Sequence, residues 1–449
     1  MMNKYLYWVT FVAVNGGLIF GLNMAGISGA NDMIKNEFSL TDSGLGTVAA
    51  LLTIGCLLGS LFTGNIADRL GRKTVMIITA ILYILSALGC ALATSSSILI
   101  FFRVLSGLAV GSTSVVGPMY ISEISPAKKR GTLVSLNQFA ITIGILLAYV
   151  FDFLLINLGD DSWRYMLVIP ALFGFLYLVF LLIDFPESPR WLISKNKEEE
   201  AIKILRKIGG DEMVKTDLPE MKQIINSEKN REKISIGKLF KGNMGKVVLV
   251  GTLIAAFQQI TGINAIIMYA PDIFQAAGSA QNDSLFQSMI VGLVNFLMTF
   301  IALRLVDTKG RKTLLLWGAV GMAISLGYLT YEFSKPIQNG FGVLIALLIY
   351  ISFFAASFAP VMWVIISEIY PNKIKGIAMS FSTAISWLCT FFTIQFAPII
   401  KGISFEYLFA IFEVFTILAF IFVKIWIPET KGKSLEQIEK EIGLDVSDN

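Results

Sequence analysis

The chain has 449 residues, of which 55% are hydrophobic and only 15% charged, with a net charge of +4 and a mean hydropathy of +0.71. A soluble domain is close to one quarter charged, so this composition excludes a soluble enzyme, a disordered chain and a nucleic-acid binder. A membrane-crossing helix needs ~20 mostly apolar residues, and the length holds twelve of them with loops to spare.

Apolar runs between polar breaks predict helices at 6–31, 45–67, 74–94, 98–121, 133–157, 165–185, 247–274, 285–306, 313–332, 340–367, 377–400 and 405–427. The first run extends from Tyr5 to Ile27, longer than a signal-peptide core and without a small-residue cleavage site, so it reads as a retained helix. Between the sixth and seventh helices lies a charged stretch, with helical periodicity at Lys197–Ile208 and Leu218–Ile225 but no run long enough to span. The expected organisation is an N-terminal six-helix bundle (1–185), a soluble linker (186–246), a C-terminal six-helix bundle (247–428) and a short tail (429–449). The fold class is an all-α integral membrane protein. Cys56, Cys90 and Cys389 are widely spaced in apolar runs and histidine is absent, so neither a disulfide frame, a metal site nor a cofactor is expected.

The basic residues give a topology. The linker holds fourteen Lys and Arg from Arg190 to Lys246, and more flank the even-numbered loops, whereas the opposite face has only Lys35, Arg164, Lys335 and Lys401. Positive charge marks the cytoplasmic side, so both termini and the linker are expected there, in a cytoplasmic membrane. The chain also repeats itself. Asp68-Arg-Leu-Gly-Arg-Lys73 recurs as Asp307-Thr-Lys-Gly-Arg-Lys312 after 239 residues, Ser122-Glu-Ile-Ser-Pro126 as Ser367-Glu-Ile-Tyr-Pro371 after 245, and Pro186-Glu-Ser as Pro428-Glu-Thr after 242. Ordered duplication at one offset suits a transporter of two halves that rock about a central site.

Within the repeated motifs, glycine permits a tight turn, the Asp can cap or pair across a helix end, and the basic residues hold the loop on its face. Glu123 with Arg130, and Glu368 with Lys375, are spaced to form ion pairs that exist in one conformation, a latch on the cytoplasmic side. Amides inside the apolar helices are a second signal: Gln138 in the fifth, Gln258, Gln259 and Asn264 in the seventh, and Asn295 in the eighth. Amides in hydrocarbon must find partners. They both donate and accept, which suits neutral hydroxyl groups. Gly262 is placed to loosen the helix beside them, and Phe20, Trp363 and Trp387 offer aromatic faces to C–H surfaces.

The set Asp68–Lys73, Pro118-x-Tyr120-x-x-Glu123-x-x-Pro126-x-x-x-Arg130-Gly131, Pro186-Glu-Ser-Pro-Arg190, Gln258-Gln259-x-x-Gly262-Ile-Asn264 and Pro428-Glu-Thr-Lys-Gly432 resembles the sugar porter family of the major facilitator superfamily, over essentially all of residues 6–440. The resemblance implies transport of a small neutral sugar by alternating access in the lipid bilayer, without enzymatic chemistry. It implies sugar contacts at Gln138, Gln258, Gln259, Asn264, Asn295 and Trp363, with Phe20 and Trp387 lining the cavity. The latch would comprise Asp68, Arg69, Arg72, Glu123, Arg130, Glu187 and Arg190, with Asp307, Arg311, Glu368 and Glu429 in the second half.

The departures from the family pattern are informative. Met268-Tyr269 stands where two tyrosines are common, Ala359 where glycine is, and Ser386 where an amide is usual. In the first helix, proton-coupled members read Gly-Tyr-Asp, the Asp pairing with an arginine of the fourth helix. Here the run is Gly21-Leu22-Asn23, with the arginine kept as Arg103. An amide cannot exchange a proton near neutral pH, so the expected function is passive uniport of a hexose such as glucose by a monomer. Arg103 would hold its charge by hydrogen bonds or reach an interface. The alternatives are a proton symporter using Glu413 or Asp152, and a non-transporting sensor, for which the roughly twenty residues after Pro428 make a short tail.

Overall fold

Long apolar runs with no water to satisfy their backbone form helices, because only a helix closes its hydrogen bonds within one segment. A computed structural model describes residues 4–126, 129–229, 242–371 and 374–431, apart from the side chains at 224, 226–229, 243, 303 and 307. The described residues hold twelve helices long and apolar enough to cross a membrane. We number the main helix of each span α1 (Lys4–Ala25), α2 (Asp42–Leu70), α3 (Arg72–Ala91), α4 (Ser96–Ile124), α5 (Arg130–Leu155), α6 (Ser162–Leu182), α7 (Gly242–Ile260), α8 (Gln281–Lys309), α9 (Arg311–Phe333), α10 (Gly340–Ala356), α11 (Lys375–Ile403) and α12 (Phe405–Trp426).

Three predicted helices are broken. After α1 the chain makes a 3-10 turn at Ser28–Ala30 and a short helix at Asn31–Glu37. After α7 it continues as Ile263–Met268 and Ala270–Ala276, and after α10 as Phe358–Ile369. The α7 break follows from Gly262, in the left-handed region at φ +100°, where an added Cβ would lie 2.4 Å from the Phe412 ring. The α10 break precedes Pro360, which has no N–H for the carbonyl four residues back. In the linker, Pro189–Ser194 precedes Glu198–Lys229, which is two helices broken at Gly210 (φ 73°). Residues 230–241 and the tail beyond Lys431 lie outside the described residues.

Contacts divide the chain into two compact units whose boundary runs through helices. The first takes residues 1–23, 55–145 and 167–233. Small residues bring its helices close. Gly21 and Gly144 let α1 and α5 approach until an added Cβ would meet the Ile141 carbonyl at 2.1 Å or the Leu18 carbonyl at 2.0 Å. Gly55, Gly59 and Gly111 do the same for α2 and α4. The linker helix docks on this unit through Lys207, which pairs with Asp184 at 2.6 Å and lies 4.0 Å above the Tyr5 ring.

The second unit takes residues 24–54, 146–166 and 234–449. Here the 24–54 segment and the end of α5 pack beside the pieces that follow α7. Asn31 donates to the Met268 carbonyl at 3.0 Å, Tyr149 to the Ile267 carbonyl at 2.7 Å, and Gln395 of α11 to the Ser43 carbonyl at 3.2 Å.

Candidate functional site

The amides singled out in the seventh helix form one hydrogen-bonded chain. Gln258 is buried, and its Nε2 donates to the carbonyls of Phe358 (3.0 Å) and Ala359 (3.3 Å), which the α10 break presents. Gln259 Nε2 donates to Gln258 Oε1 at 2.9 Å, and Asn264 Nδ2 to Gln259 Oε1 at 2.6 Å. The Gly262 break lets Asn264 fold back toward Gln259, and Tyr350 holds that break by donating to the Thr261 carbonyl at 2.9 Å. Gln258 thus has both N–H bonds engaged. Gln259 and Asn264 are half-buried and each keeps donor and acceptor capacity beyond this chain. In the same unit Asn295 is buried in α8, Trp387 is half-buried in α11, and Trp363 is 39% exposed on the Phe358–Ile369 helix. No hydrogen bond joins Asn295 to the α7 amides among the described residues. Phe20 of α1 and Gln138 of α5 belong to the first unit, both half-buried.

At the α1–α4 position, Asn23 is buried and its side chain is used locally. Its Nδ2 donates to the Ile19 carbonyl at 2.9 Å, and its Oδ1 accepts from Ser106 at 2.5 Å. Arg103 is 2% exposed, so it does not reach an interface, and it donates to the backbone carbonyl of Asn23 at 3.2 Å. Of the other carboxylates considered, Glu413 faces α9, where Thr330 donates to it at 3.5 Å and an added Cβ on Gly327 would sit 2.8 Å from it. Asp152 is buried on α5 in the second unit. It accepts from Ser28 (3.0 Å) and from the Gly29 backbone N–H (2.9 Å).

The repeated motifs build the same device twice, each within its own unit. In the first unit Arg72 donates to Glu123 at 2.9 Å and to the Ala67 carbonyl at 3.1 Å, and Ser188 donates to the other oxygen of Glu123. In the second, Arg311 donates to Glu368 at 3.0 Å and to the Val306 carbonyl at 3.0 Å, and Thr430 donates to Glu368 at 2.5 Å. The expected partners Arg130 and Lys375 are replaced by Arg72 and Arg311. The reason is that the motif arginine stands at a helix start beside the carboxylate, whereas a cation seven residues on sits across a chain turn. Glu187 accepts from the N–H groups of Arg72 (2.9 Å) and Lys73 (3.1 Å), and Glu429 from those of Arg311 (2.9 Å) and Lys312 (3.2 Å). A carboxylate at a helix N-terminus is favourable. It takes the space a side chain would fill at Gly71 or Gly310, both at positive φ. Burial pushes the Glu187 carboxyl above its ordinary range, against the pull of the N–H groups of Ser188, Lys73 and Arg72. Asp68 is mostly exposed and pairs with Arg72 at 3.0 Å. Arg69 and Arg130 are exposed and Arg190 half-buried, and the side chain of Asp307 lies outside the described residues.

Sequence reasoning passed over several polar groups that the fold engages. Tyr350, Tyr149 and Asn31 make buried hydrogen bonds to backbone carbonyls, and Lys401 is paired with Asp272. A tyrosine in an apolar run reads as core, and nothing short of tertiary structure shows which carbonyl it serves. The Lys401–Asp272 pair joins residues 129 apart.

The sugar (and other) transporter family profile matches residues 9–442. The chain is 35% identical to the D-xylose-proton symporter of Escherichia coli K12, over 97% of this chain and 96% of that one. It is also 35% identical to the glucose facilitated diffusion protein of Zymomonas mobilis, over 96% of each. The structure superposes on a partially occluded, inward-open conformation of the E. coli xylose transporter with a TM-score of 0.85 and 34% identity, covering 96% of this chain and all of that one. With the duplicated loops, the twelve helices and the amide chain in place, the chain belongs to the sugar porter family of the major facilitator superfamily, moving monosaccharides across a membrane by alternating access.

Proposed function

We propose that the protein is a passive uniporter of a hexose such as glucose. We place it in the cytoplasmic membrane as a functional monomer, with both termini and the linker in the cytoplasm. The observation that carries the passive reading is Asn23. Its amide is engaged by Ile19 and Ser106, Arg103 donates to its backbone carbonyl, and an amide carries no group that titrates near neutral pH. Gln259, Asn264, Gln138, Asn295 and Trp363 would contact the sugar, with Gln258 orienting Gln259 and with Phe20 and Trp387 walling the cavity. The similarity to a facilitated-diffusion protein for glucose supports the substrate class.

The second reading, a proton symporter, is favoured by one observation: Asp152 is a buried carboxylate held against the turn that follows α1. Radiolabelled glucose uptake into proteoliposomes, with and without an imposed inward proton gradient, separates the two. Uptake that equilibrates and ignores the gradient is the expected outcome. Accumulation above equilibrium would overturn the passive reading and make Asp152 the residue to substitute. Absence of glucose uptake with uptake of xylose or a polyol would overturn the hexose assignment.

A further inference from the structure

Beyond the Gly262 break, the interruption at Tyr269 between Ile263–Met268 and Ala270–Ala276 releases a backbone acceptor. In an unbroken helix the carbonyl of Ile267 would accept from the N–H of residue 271, but residue 271 is proline and has none. Leaving a buried carbonyl without a donor is costly. Tyr149 of α5, fully buried, supplies the donor from its hydroxyl at 2.7 Å. The neighbouring carbonyl, Met268, ends the Ile263–Met268 helix and accepts from Asn31, also fully buried. Gly292 of α8 leaves room for the tyrosine ring, since an added Cβ there would lie 2.8 Å from it. Asn31 is aimed by the turn before it. Asp152, one helical turn beyond Tyr149 on α5, binds Ser28 and Gly29, and Gly29 fits only because it lacks a Cβ, which would approach Asp152 to 2.7 Å.

We propose that Tyr149 and Asn31 are positioning residues that hold the outer gate shut by capping the two carbonyls at the Tyr269 interruption, with Asp152 setting the helix 1 arm that carries Asn31. Outward opening then requires both bonds to break, and the segment that swings is the one leading from Asn264. This rests on the transport reading and on the topology that makes this end extracellular.

The test uses full-length protein in proteoliposomes, with Cys389→Ser and a reporter cysteine at Ala270→Cys, buried beside the interruption. A membrane-impermeant maleimide is applied from outside without sugar. One net hydrogen bond corresponds to roughly a fivefold change in a two-state equilibrium, so Tyr149→Phe and Asn31→Ala should each raise the labelling rate about fivefold. Asp152→Asn keeps an acceptor and should label like the parent, whereas Asp152→Ala should label faster. Tyr149→Phe removes one oxygen and preserves the ring, which protects the test against misfolding. Unchanged labelling in both Tyr149→Phe and Asn31→Ala would overturn the proposal, because a merely structural role lowers the melting temperature without opening one face. Glucose binding and uptake in the same preparations test the transport reading separately: no sugar uptake with faster labelling sinks that reading and leaves the clasp standing.

Discussion

Gln258, Gln259 and Asn264 look alike in sequence, yet hydrogen bonding gives them different work. Gln258 has both donors on the Phe358 and Ala359 carbonyls and its oxygen on Gln259, so it fixes orientation. Gln259 and Asn264 keep capacity for a ligand. Gln259→Ala and Asn264→Ala should each raise the half-saturation concentration for sugar about tenfold or more, the scale of one or two lost hydrogen bonds. Gln258→Ala should weaken binding and also lower the melting temperature, since it removes two buried hydrogen bonds to the start of the Phe358–Ile369 helix. Equilibrium sugar binding and thermal unfolding of the purified variants check this, and unchanged affinity in both of the first two variants would remove them from the site. The amides themselves were conspicuous in the chain because polar side chains in hydrocarbon stand out. Their order was not, because it depends on the Gly262 break and on carbonyls a hundred residues away.

At the scale of elements, hydropathy placed all twelve helices but drew the first, seventh and tenth as continuous. Hydropathy reports burial and is blind to backbone geometry. The breaks after α7 and α10 follow from Gly262 and Pro360, each a local steric fact, and the turn after α1 seats Gly29 against Asp152. The duplicated loops show the converse: the motif residues were evident from repetition, while their partners were misassigned from spacing along the chain. The two copies also differ in burial. Arg72 and Glu123 have side chains 9% and 5% exposed, whereas Arg311 and Glu368 are at 14% and 25%. Removing one member of a buried pair costs a few kcal/mol, roughly 3–5, and much less where water reaches it. Glu123→Gln is therefore expected to slow sugar exchange and lower the melting temperature more than Glu368→Gln, with sugar binding spared in both. Exchange rates at equal sugar on both sides, read beside thermal melts, make the comparison.

For the whole molecule, sugar porter membership and alternating access follow from family, fold and repeat together. The proposed source of energy, by contrast, rests on a single residue, Asn23. The doubled device at the loops has a further consequence, for how the chain is assembled. Glu187 follows α6 and returns to the start of α3, and Glu429 follows α12 and returns to the start of α9. Each hook closes a ring of chain without using the 230–241 stretch between them. Two separately translated polypeptides, residues 1–234 and 235–449, should therefore complement each other when co-expressed and restore uptake, while either alone gives none. Glu187→Ala in the first fragment should reduce that complementation more than it reduces uptake by the intact chain, because a severed chain lacks the covalent tie to the second half and leans more on the contacts that remain.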